Sequence, residues 1–204
     1  MPYTFDHYET LASLASASQP KPAPLIGLIG RARAGKDTFA ARLIEAHGFT
    51  RYAFADALRG VALDLDPIVL PIDTVQGSAR LSEIVERVGW EGAKEYREVR
   101  RTLQRLGVAV RTLDEEFWVS RVMLKISANA KPAVVTDVRF ANEAAAIVAA
   151  GGRLVRIVRA GQDESDTHIS ETALADYPTH AHIDNDSDIA TLRTRADAAL
   201  SSLN

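Results

Sequence analysis

A glycine-rich segment near the amino terminus has the residue types and spacing that bind a phosphate group. In LIGLIGRARAGKDTFAARL, Gly30, Gly35 and Lys36 fit the frame G-x-x-x-x-G-K. Glycine at both ends lets the backbone pass close to a phosphate, and the N–H groups of the loop and of the following helix form an anion site. The segment therefore predicts a phosphate-binding loop in which Lys36 reaches the β- and γ-phosphates of a nucleotide, with Arg33 and Ala34 also in contact.

The position after Lys36 departs from the usual frame, which has Ser or Thr there to hold Mg²⁺. Here it is Asp37, and Thr38 follows. A carboxylate is a good oxygen ligand for Mg²⁺. We therefore expect Mg²⁺ at Asp37 and Thr38: Asp37 contacts the ion directly or through water, and Thr38 binds a phosphate.

A second group of charged residues lies in AVVTDVRFANEAAAIVAAGG. Asp137 ends an apolar run, Arg139 follows two residues later, and Glu143 lies one turn into the next helical stretch. A carboxylate at this point of a sheet is placed to act near Mg²⁺ or the attacking oxygen, and Arg139 could bridge two phosphoryl groups. The alternative is that Asp137 caps a helix and pairs with Arg139 on the surface.

The segment EYREVRRTLQRLGVAVR has the periodicity of an amphipathic helix. Its apolar stripe is Val99, Leu103, Leu106 and Val110. Beside the stripe, Arg100 and Arg101 could hold an acceptor phosphate while Gln104 contacts a base or sugar; the alternative is a solvated cationic face. Trp118 could stack on a base or belong to the core.

Other polar residues are weaker candidates. Arg159, after an apolar run, is a candidate phosphate ligand, and His168 and Glu171 could line a mobile segment over the site. His180 and His182 do not predict a zinc site, because no third and fourth ligands have suitable spacing.

Composition limits the class of protein. The chain has 204 residues, 47% hydrophobic and 25% charged, which suits one globular domain with room for an insertion. Zero Cys excludes disulfide frameworks and thiolate catalysis and permits a reducing cytoplasm. The balance of 24 basic against 27 acidic residues argues against stable nucleic-acid binding. No signal peptide and no membrane span are expected.

The pattern from residue 25 onward is that of parallel strands joined by crossover helices, an α/β fold. The predicted strands are 25–29, 52–55, 133–137, 154–158 and 181–184. The predicted helices are 36–46, 141–150, 169–176 and 188–202. The connection 56–132 is longer than a crossover requires and predicts several helices that select the substrate, while residues 1–24 form an appendage with a Pro-rich linker. Ligands are expected at the carboxyl ends of the strands.

Several segments together resemble the bacteriophage-type deoxynucleoside monophosphate kinases, over nearly all of residues 25–200. They are GRARAGKDT, FADALR, RRTLQRLG followed by DEEFWV, TDVRFANEA, a glycine pair before RLVRIVR, HISE and HIDNDSDIATL. The resemblance implies a P-loop kinase domain over 25–204, three-layer α/β/α with a central five-stranded parallel sheet. It implies an acceptor-binding insertion at 56–132, a lid at 160–180, and γ-phosphoryl transfer from ATP with Mg²⁺ to a deoxynucleoside monophosphate. A homodimer in the host cytoplasm is also implied.

The resemblance assigns roles position by position. Lys36, Asp37 and Thr38 match the phosphate and metal loop, and Asn185 lies where the donor adenine passes. The acceptor side is matched by Arg100, Arg101, Gln104, Gly107, Trp118, Asp137, Arg139 and Glu143. Two positions depart from the family pattern. Ala34 stands where a Ser is expected before Gly35, and Val108 stands where a small polar residue is expected after Gly107.

Two other functions remain open on the sequence. One is a kinase for another small phosphorylated acceptor, of the phosphomevalonate or dephospho-coenzyme-A type. The other is a nucleotide-dependent switch or scaffold, which is disfavoured because no N-K-x-D motif occurs. For the kinase, we expect Lys36, Mg²⁺ and Arg139 to neutralise charge on the transferred group while Asp137 orients the acceptor or a metal-bound water.

Overall fold

Strands and helices alternate along most of the chain. The computed structural model describes residues 23–70, 78–159 and 174–203. The strands in these ranges are β1 Leu25–Ile29, β2 Thr50–Tyr52, β3 Ile68–Leu70, β4 Ala79–Arg80, β5 Ala133–Val135, β6 Arg153–Val158 and β7 Ala181–Asp184. The helices are α1 Lys36–His47, α2 Phe54–Leu65, α3 Leu81–Ala93, α4 Arg97–Leu113, α5 Phe117–Ser127, α6 Ala141–Ala149 and α7 Ile189–Leu203.

Five strands form one parallel sheet in the order β2-β5-β1-β6-β7. The central strand β1 is buried along its whole length, as expected for an apolar run covered on both faces. It pairs Leu25 with Ala133 of β5 and Gly27 with Leu154 of β6. The predicted five-stranded parallel α/β sheet is confirmed.

Helices cover both faces of this sheet. Side chains alternate along a strand, so Ile26 and Leu28 of β1 pack with Phe39 of α1 and Leu192 of α7. On the opposite face, Leu25 and Ile29 pack in a cluster that α2, α5 and α6 complete. This arrangement is the predicted three-layer α/β/α architecture.

The second strand is the least accurate part of the secondary-structure prediction. It covers Thr50–Tyr52 rather than 52–55, and α2 begins at Phe54 after the N-cap Ala53. Its N-terminal N–H groups are bound by the side chain of Asp137, which lies far along the chain. A local pattern cannot reveal that contact. The third sheet strand is likewise shorter than expected and ends at Val135.

The insertion 56–132 contains most of α2 and all of α3, α4 and α5, which confirms that it is mainly helical. It also contains an antiparallel pair, β3 with β4, that was not predicted because strands of three and two residues carry almost no periodicity. The insertion has a core of its own. Its buried members are Ala62, Val69, Leu81, Ile84, Ala93 and Val99.

Some predictions fall on residues that the structure does not describe. These are the appendage up to residue 22, most of the lid, and the greater part of the helix at 169–176, of which 174–176 form a turn. Among the described residues, no helix has the length and apolar character needed to cross a membrane.

Candidate active site

The phosphate loop links β1 to α1 and takes a conformation that needs glycine. Gly30 has φ 156°, Arg33 φ 62° and Gly35 φ 107°. A Cβ on Gly30 would collide with the carbonyl oxygen of Ile157, and a Cβ on Gly35 would lie 2.6 Å from Nδ2 of Asn185. The positive φ at both glycines agrees with the reason for which the frame needs them, and the contacts with Ile157 and Asn185 add a steric reason that the frame does not contain.

Lys36 is the first residue of α1, and its side chain closes over the loop. Nζ donates hydrogen bonds to the carbonyl oxygens of Gly30 at 2.5 Å and Arg31 at 2.7 Å. The amine is thus held beside the N–H groups at the start of α1, where the helix dipole also favours an anion. Ala34 is 1% exposed and packs into the core, so only its backbone can serve a ligand.

A cleft of about 340 Å³ opens directly on this loop. Its lining residues are Arg33, Gly35, Lys36, Asp37, Thr38, Arg159, Asn185, Ser187, Ile189 and Leu192. The structure therefore brings together the predicted donor residues from the loop, the end of β6 and the segment after β7. Nδ2 of Asn185 donates to the carbonyl oxygen of Ala34 at 2.9 Å, which fixes that segment against the loop.

Ser187 lies within 185–188, just past the last predicted strand, where the sequence predicts ligand contacts; two further lining residues were missed. These are Ile189 and Leu192 at the start of α7, which are 66% and 3% exposed. Their signal was the segment HIDNDSDIATL, which was used only for Asn185 and its neighbours. The start of α7 therefore adds an apolar wall to a cleft that is otherwise polar.

Asp37 and Thr38 supply oxygen donors on the first turn of α1, and both line the cleft. In the part of the chain that the structure describes, no group of three or more His, Asp or Glu gathers as a metal site. An ion held here must complete its shell with phosphate oxygens and water, which is how Mg²⁺ is usually bound beside nucleotides. The donor set fits Mg²⁺.

Asp137 follows β5, the strand that pairs with β1, so it lies beside the phosphate loop at the same sheet edge. Its two carboxylate oxygens accept hydrogen bonds from the backbone N–H of Phe54 at 2.8 Å and Ala55 at 2.9 Å. Burial raises the pKa of Asp137, and these two N–H donors and Arg139 oppose that rise. The carboxylate therefore caps α2. The sequence offered helix capping as an alternative role for Asp137, but it did not identify α2 as the helix that is capped.

Glu143 is 1% exposed and lies behind the loop that carries Arg139. Oε2 accepts from the backbone N–H of Arg139 at 2.8 Å and of Phe140 at 3.2 Å, and Oε1 accepts from Nη2 of Arg111 at 2.6 Å. Burial raises the pKa of Glu143, while the N–H of Arg139 and the guanidinium of Arg111 lower it. A direct contact of Glu143 with an acceptor stays a prediction that this geometry does not favour.

Helix α4 carries the predicted acceptor residues on one exposed side. Arg100, Arg101 and Gln104 are exposed, whereas Val99 of the apolar stripe is fully buried. Arg100 donates to the carbonyl oxygen of Lys94 at 2.7 Å, and Arg101 donates to Glu98 at 2.9 Å. The amphipathic character is confirmed; binding of an acceptor by this side of the helix stays a prediction.

Trp118 is 2% exposed, and its Nε1 lies 3.4 Å from the carbonyl oxygen of Gly107 on α4. Its ring packs edge-on against Phe117, with centroids 4.9 Å apart. These contacts describe a buried aromatic that supports α4. Because the ring is buried, it does not present a face on which a base could stack in this arrangement.

Two further polar residues, Asp56 and Arg59, lie just past the second predicted strand, where the sequence predicts ligand contacts but assigns these two no role. Asp56, in the first turn of α2, accepts from Arg51 at 2.8 Å and from Arg59 at 3.1 Å. The Arg59 guanidinium lies 5.3 Å from the ring centroid of Trp90, a partly exposed aromatic of α3. FADALR, immediately after a strand, was the available signal.

The weaker candidates have separate locations. Arg159 lines the cleft, as expected for a phosphate ligand, and His168 and Glu171 lie outside the described residues. His180 accepts a hydrogen bond from the N–H of Leu154 at 3.1 Å, and His182 lies 3.3 Å from a carboxylate oxygen of Asp184.

Comparison with known proteins identifies a family for this chain. The family model "Deoxynucleotide monophosphate kinase" matches residues 72–196. A protein of Acanthamoeba polyphaga mimivirus that carries the same name is 32% identical over 164 residues, covering 74% of this chain and 81% of the relative. The deoxynucleotide monophosphate kinase of Escherichia phage RB69 is 31% identical over 108 residues, covering 50% of this chain and 44% of the relative.

Among solved structures, TT1252 from Thermus thermophilus aligns with a TM-score of 0.50 and 18% identity, covering 90% of this chain and 100% of that one, which shows a shared fold. The matched family favours neither of the two alternative functions left open by the sequence. The resemblance to this family that the sequence indicates is thereby confirmed. The chain belongs to the deoxynucleotide monophosphate kinase family.

Proposed function

We propose that the protein transfers the γ-phosphoryl group of ATP to a deoxynucleoside 5′-monophosphate and releases the diphosphate and ADP. The observation that carries this proposal is the pairing of β1 with β5. Neighbouring strands lie about 4.8 Å apart, so the phosphate loop after β1 and the Arg139 segment after β5 face the same small space. A donor phosphate on Lys36 and an acceptor phosphate near Arg139 would then be adjacent.

Catalysis of this kind depends on alignment and charge neutralisation, because phosphoryl transfer leaves little covalent work to protein groups. Lys36 neutralises the donor phosphates from inside the loop. Arg139, exposed on the neighbouring segment, bridges the transferred group and the acceptor phosphate. Asp37 and Thr38 would hold Mg²⁺, which would supply further charge neutralisation when bound.

Asp137 acts in this scheme by orientation. The acceptor nucleophile is a phosphate oxygen, which is largely deprotonated near neutral pH because a phosphate monoester has a second pKa of about 6. No general base is needed to activate it. The contacts of Asp137 with the N–H groups of Phe54 and Ala55 support a role in holding the start of α2 beside the acceptor.

The exposed side of α4 is proposed as the acceptor-binding surface. Arg100 and Arg101 hold the 5′-phosphate before transfer, and Gln104 contacts the base or sugar. Gly107 faces α2, and a Cβ built there would make an ordinary van der Waals contact with Leu58 Cδ2 at 3.5 Å. Trp118 supports this helix through the carbonyl oxygen of Gly107.

On the donor side, we propose that the adenine passes Asn185 toward the apolar wall at the start of α7. Ile189, which is 66% exposed, offers the apolar surface that a base needs. Arg159 binds the donor phosphates from the end of β6, and Arg33 does so from the loop. The region 160–180 is proposed as the lid that covers them.

Assembly and location are proposed from the sequence and the family. We infer a homodimer that acts in the cytoplasm on small nucleotides and does not bind nucleic acid stably. Three large apolar side chains of α4 and α5 support an interface because they are strongly exposed: Val108, Leu113 and Leu124. Sedimentation of the purified chain measures the oligomeric state.

The test is an assay of ADP release with ATP and Mg²⁺, run with each of the four deoxynucleoside monophosphates and with the matching ribonucleotides. We expect stimulation by at least one deoxynucleotide and its loss in Lys36→Ala. Lys125→Ala, which removes an exposed lysine of α5, is the matched control and should keep full activity. If no nucleotide stimulates a folded protein, the proposed acceptor is wrong.

A further inference from the structure

Arg111 lies where the acceptor-binding helix meets the loop that carries Arg139. It occupies the last turn of α4, and its Nη2 lies 2.6 Å from Oε1 of Glu143. The pair is largely shielded from solvent, since the side chain of Glu143 is 2% exposed and that of Arg111 is 25% exposed. Solvent screens such a charge pair little, and removal of either partner would leave the other as an uncompensated, largely buried charge.

The same guanidinium makes a second contact that fixes its plane. Its Cζ lies 4.0 Å from the centroid of the Phe140 ring, a stacking distance for an arginine over an aromatic face. Phe140 is the residue between Arg139 and the start of α6. Arg111 therefore holds the loop through both the Glu143 carboxylate and the Phe140 ring. A lysine cannot reproduce both contacts because its ammonium is not a planar group that stacks on a ring.

Glu143 connects Arg111 to the backbone of Arg139. One carboxylate oxygen is held by Arg111, and the other accepts from the N–H groups of Arg139 and Phe140. The resulting path runs from α4, through the guanidinium and the carboxylate, to the peptide nitrogen of Arg139. Arg111 follows Arg101 by ten residues on the same rigid helix, a separation of about 15 Å at 1.5 Å per residue.

We propose that Arg111 is a positioning residue, which sets the distance between the acceptor held by α4 and the guanidinium of Arg139. This inference rests on the proposed function, because it concerns the alignment of the two nucleotides during transfer. A misplacement of about 1 Å between reacting groups can cost about 100-fold in rate. Loss of Arg111 therefore lowers transfer to the acceptor more than it lowers binding of ATP.

The experiment measures two products separately, the deoxynucleoside diphosphate and ADP, for the wild type and for Arg111→Met. We expect kcat for transfer to fall about 10- to 100-fold, with the KM for ATP within twofold of the wild-type value. We also expect the ratio of diphosphate formed to ADP released to fall below one, because water competes for a misaligned γ-phosphoryl group. That ratio does not depend on the fraction of folded enzyme.

Two other variants separate positioning from folding. Arg111→Lys keeps the charge and loses the planar guanidinium that stacks on Phe140, so it should recover transfer only in part. The double variant Arg111→Met with Glu143→Gln removes the uncompensated buried carboxylate, so it should fold even if Arg111→Met does not. If the double variant is also unfolded, or keeps a product ratio of one, Arg111 has only a structural role and the proposal is wrong.

Arg121→Met is the matched control, since the guanidinium of Arg121 also lies over a phenylalanine ring, 5.3 Å from the centroid of Phe117 on α5. It should leave the product ratio unchanged. If the wild type itself shows no transfer to any deoxynucleotide, the proposed function fails. If the wild type is active and folded Arg111→Met keeps kcat within twofold, the proposed function stands and the positioning role fails.

Discussion

Arg42 and Asp197 form a two-pronged ion pair between the helix that follows the phosphate loop and the last helix of the domain. Nε of Arg42 lies 2.9 Å from Oδ1 of Asp197, and Nη2 lies 2.8 Å from Oδ2. Nε2 of His47 lies 2.8 Å from Oδ1 of the same carboxylate. The two helices that flank the donor cleft are thus joined by one carboxylate.

This pair predicts a loss of stability in acid. Hydrogen bonds from Arg42 and His47 lower the pKa of Asp197 from 3.8 to about 2. A carboxylate whose pKa is lower in the folded state stabilises the fold above its unfolded pKa, and that contribution disappears as pH falls from about 4 to about 2. We expect Asp197→Asn to be less stable than the wild type at pH 7 and to lose less between pH 5 and pH 2, as measured by urea denaturation.

Asp64→Asn removes the same charge from an exposed position on α2 and serves as the control for Asp197→Asn. An equal acid dependence in the wild type and in Asp197→Asn would show that the ion pair contributes nothing to stability.

Gly35→Ala should damage both stability and donor binding. The new Cβ would lie 2.6 Å from Nδ2 of Asn185 and 2.9 Å from Cδ2 of Leu192, at a backbone φ of 107°. We expect a loss of about 1–3 kcal/mol in the free energy of unfolding. ATP affinity, measured by calorimetry, should fall as well because Asn185 must move.

Gly60→Ala is the control for Gly35→Ala, because it should change the free energy of unfolding in the opposite direction. Gly60 lies inside α2 with nothing within 4 Å of its Cβ position, so alanine should stabilise the protein by about 1 kcal/mol. Equal effects of the two substitutions would contradict the strained loop.

Arg139→Ala should lower turnover by on the order of 10³-fold or more, because an arginine that contacts the transferring phosphoryl group contributes that much in other phosphotransferases. Single-turnover measurement of diphosphate formation tests this, with thermal unfolding as the check on the fold. A turnover within tenfold of the wild type would exclude the role. Arg153→Ala, an exposed position at the other end of β6, should have little effect.

Asp37→Asn should raise the Mg²⁺ concentration that gives half-maximal activity by about 10- to 100-fold, since one carboxylate charge near the ion is lost. Thr38→Ala should act mainly on the KM for ATP if Thr38 binds a phosphate. Titration of activity with Mg²⁺ at fixed ATP separates the two residues. If Thr38→Ala alone shifts the Mg²⁺ requirement, the ligand assignment is reversed.

Removal of residues 1–22 should leave kcat and the KM values unchanged, because the prolines at 20, 22 and 24 are typical of a stiff linker and predict an appendage. The same ADP-release assay on the shortened chain measures the effect. A large loss of turnover would show that the segment takes part in the site.

Local patterns in the sequence predicted the donor half of the molecule well. The run Leu25–Ile29 is apolar throughout and is followed at once by a glycine frame, so both the central strand and the loop could be located to the residue. Helix α1 begins at Lys36 as predicted and ends one residue later than expected, at His47. These signals lie within about twenty residues of each other.

The acceptor half was harder to predict because its decisive contacts join distant parts of the chain. Asp137 caps a helix that begins 83 residues earlier, and Glu143 pairs with an arginine 32 residues earlier. The type and spacing of Asp137 and Glu143 indicate a functional carboxylate and a surface carboxylate equally well. Trp118 shows the same ambiguity, since only the packing reveals that it is 2% exposed.

The insertion leaves the sheet after β2 and returns to it at β5, the strand directly beside β2, with Thr50 paired to Ala133. Because these strands are parallel, the insertion leaves at the carboxyl edge of the sheet and re-enters at the amino edge, and its helices α2 and α5 pack on the sheet face between the two. An insertion with a different acceptor site would have to keep this packing, helix N–H groups for Asp137 to cap and an arginine at the position of Arg111. Acceptor choice can thus diverge within this segment while the donor half stays unchanged.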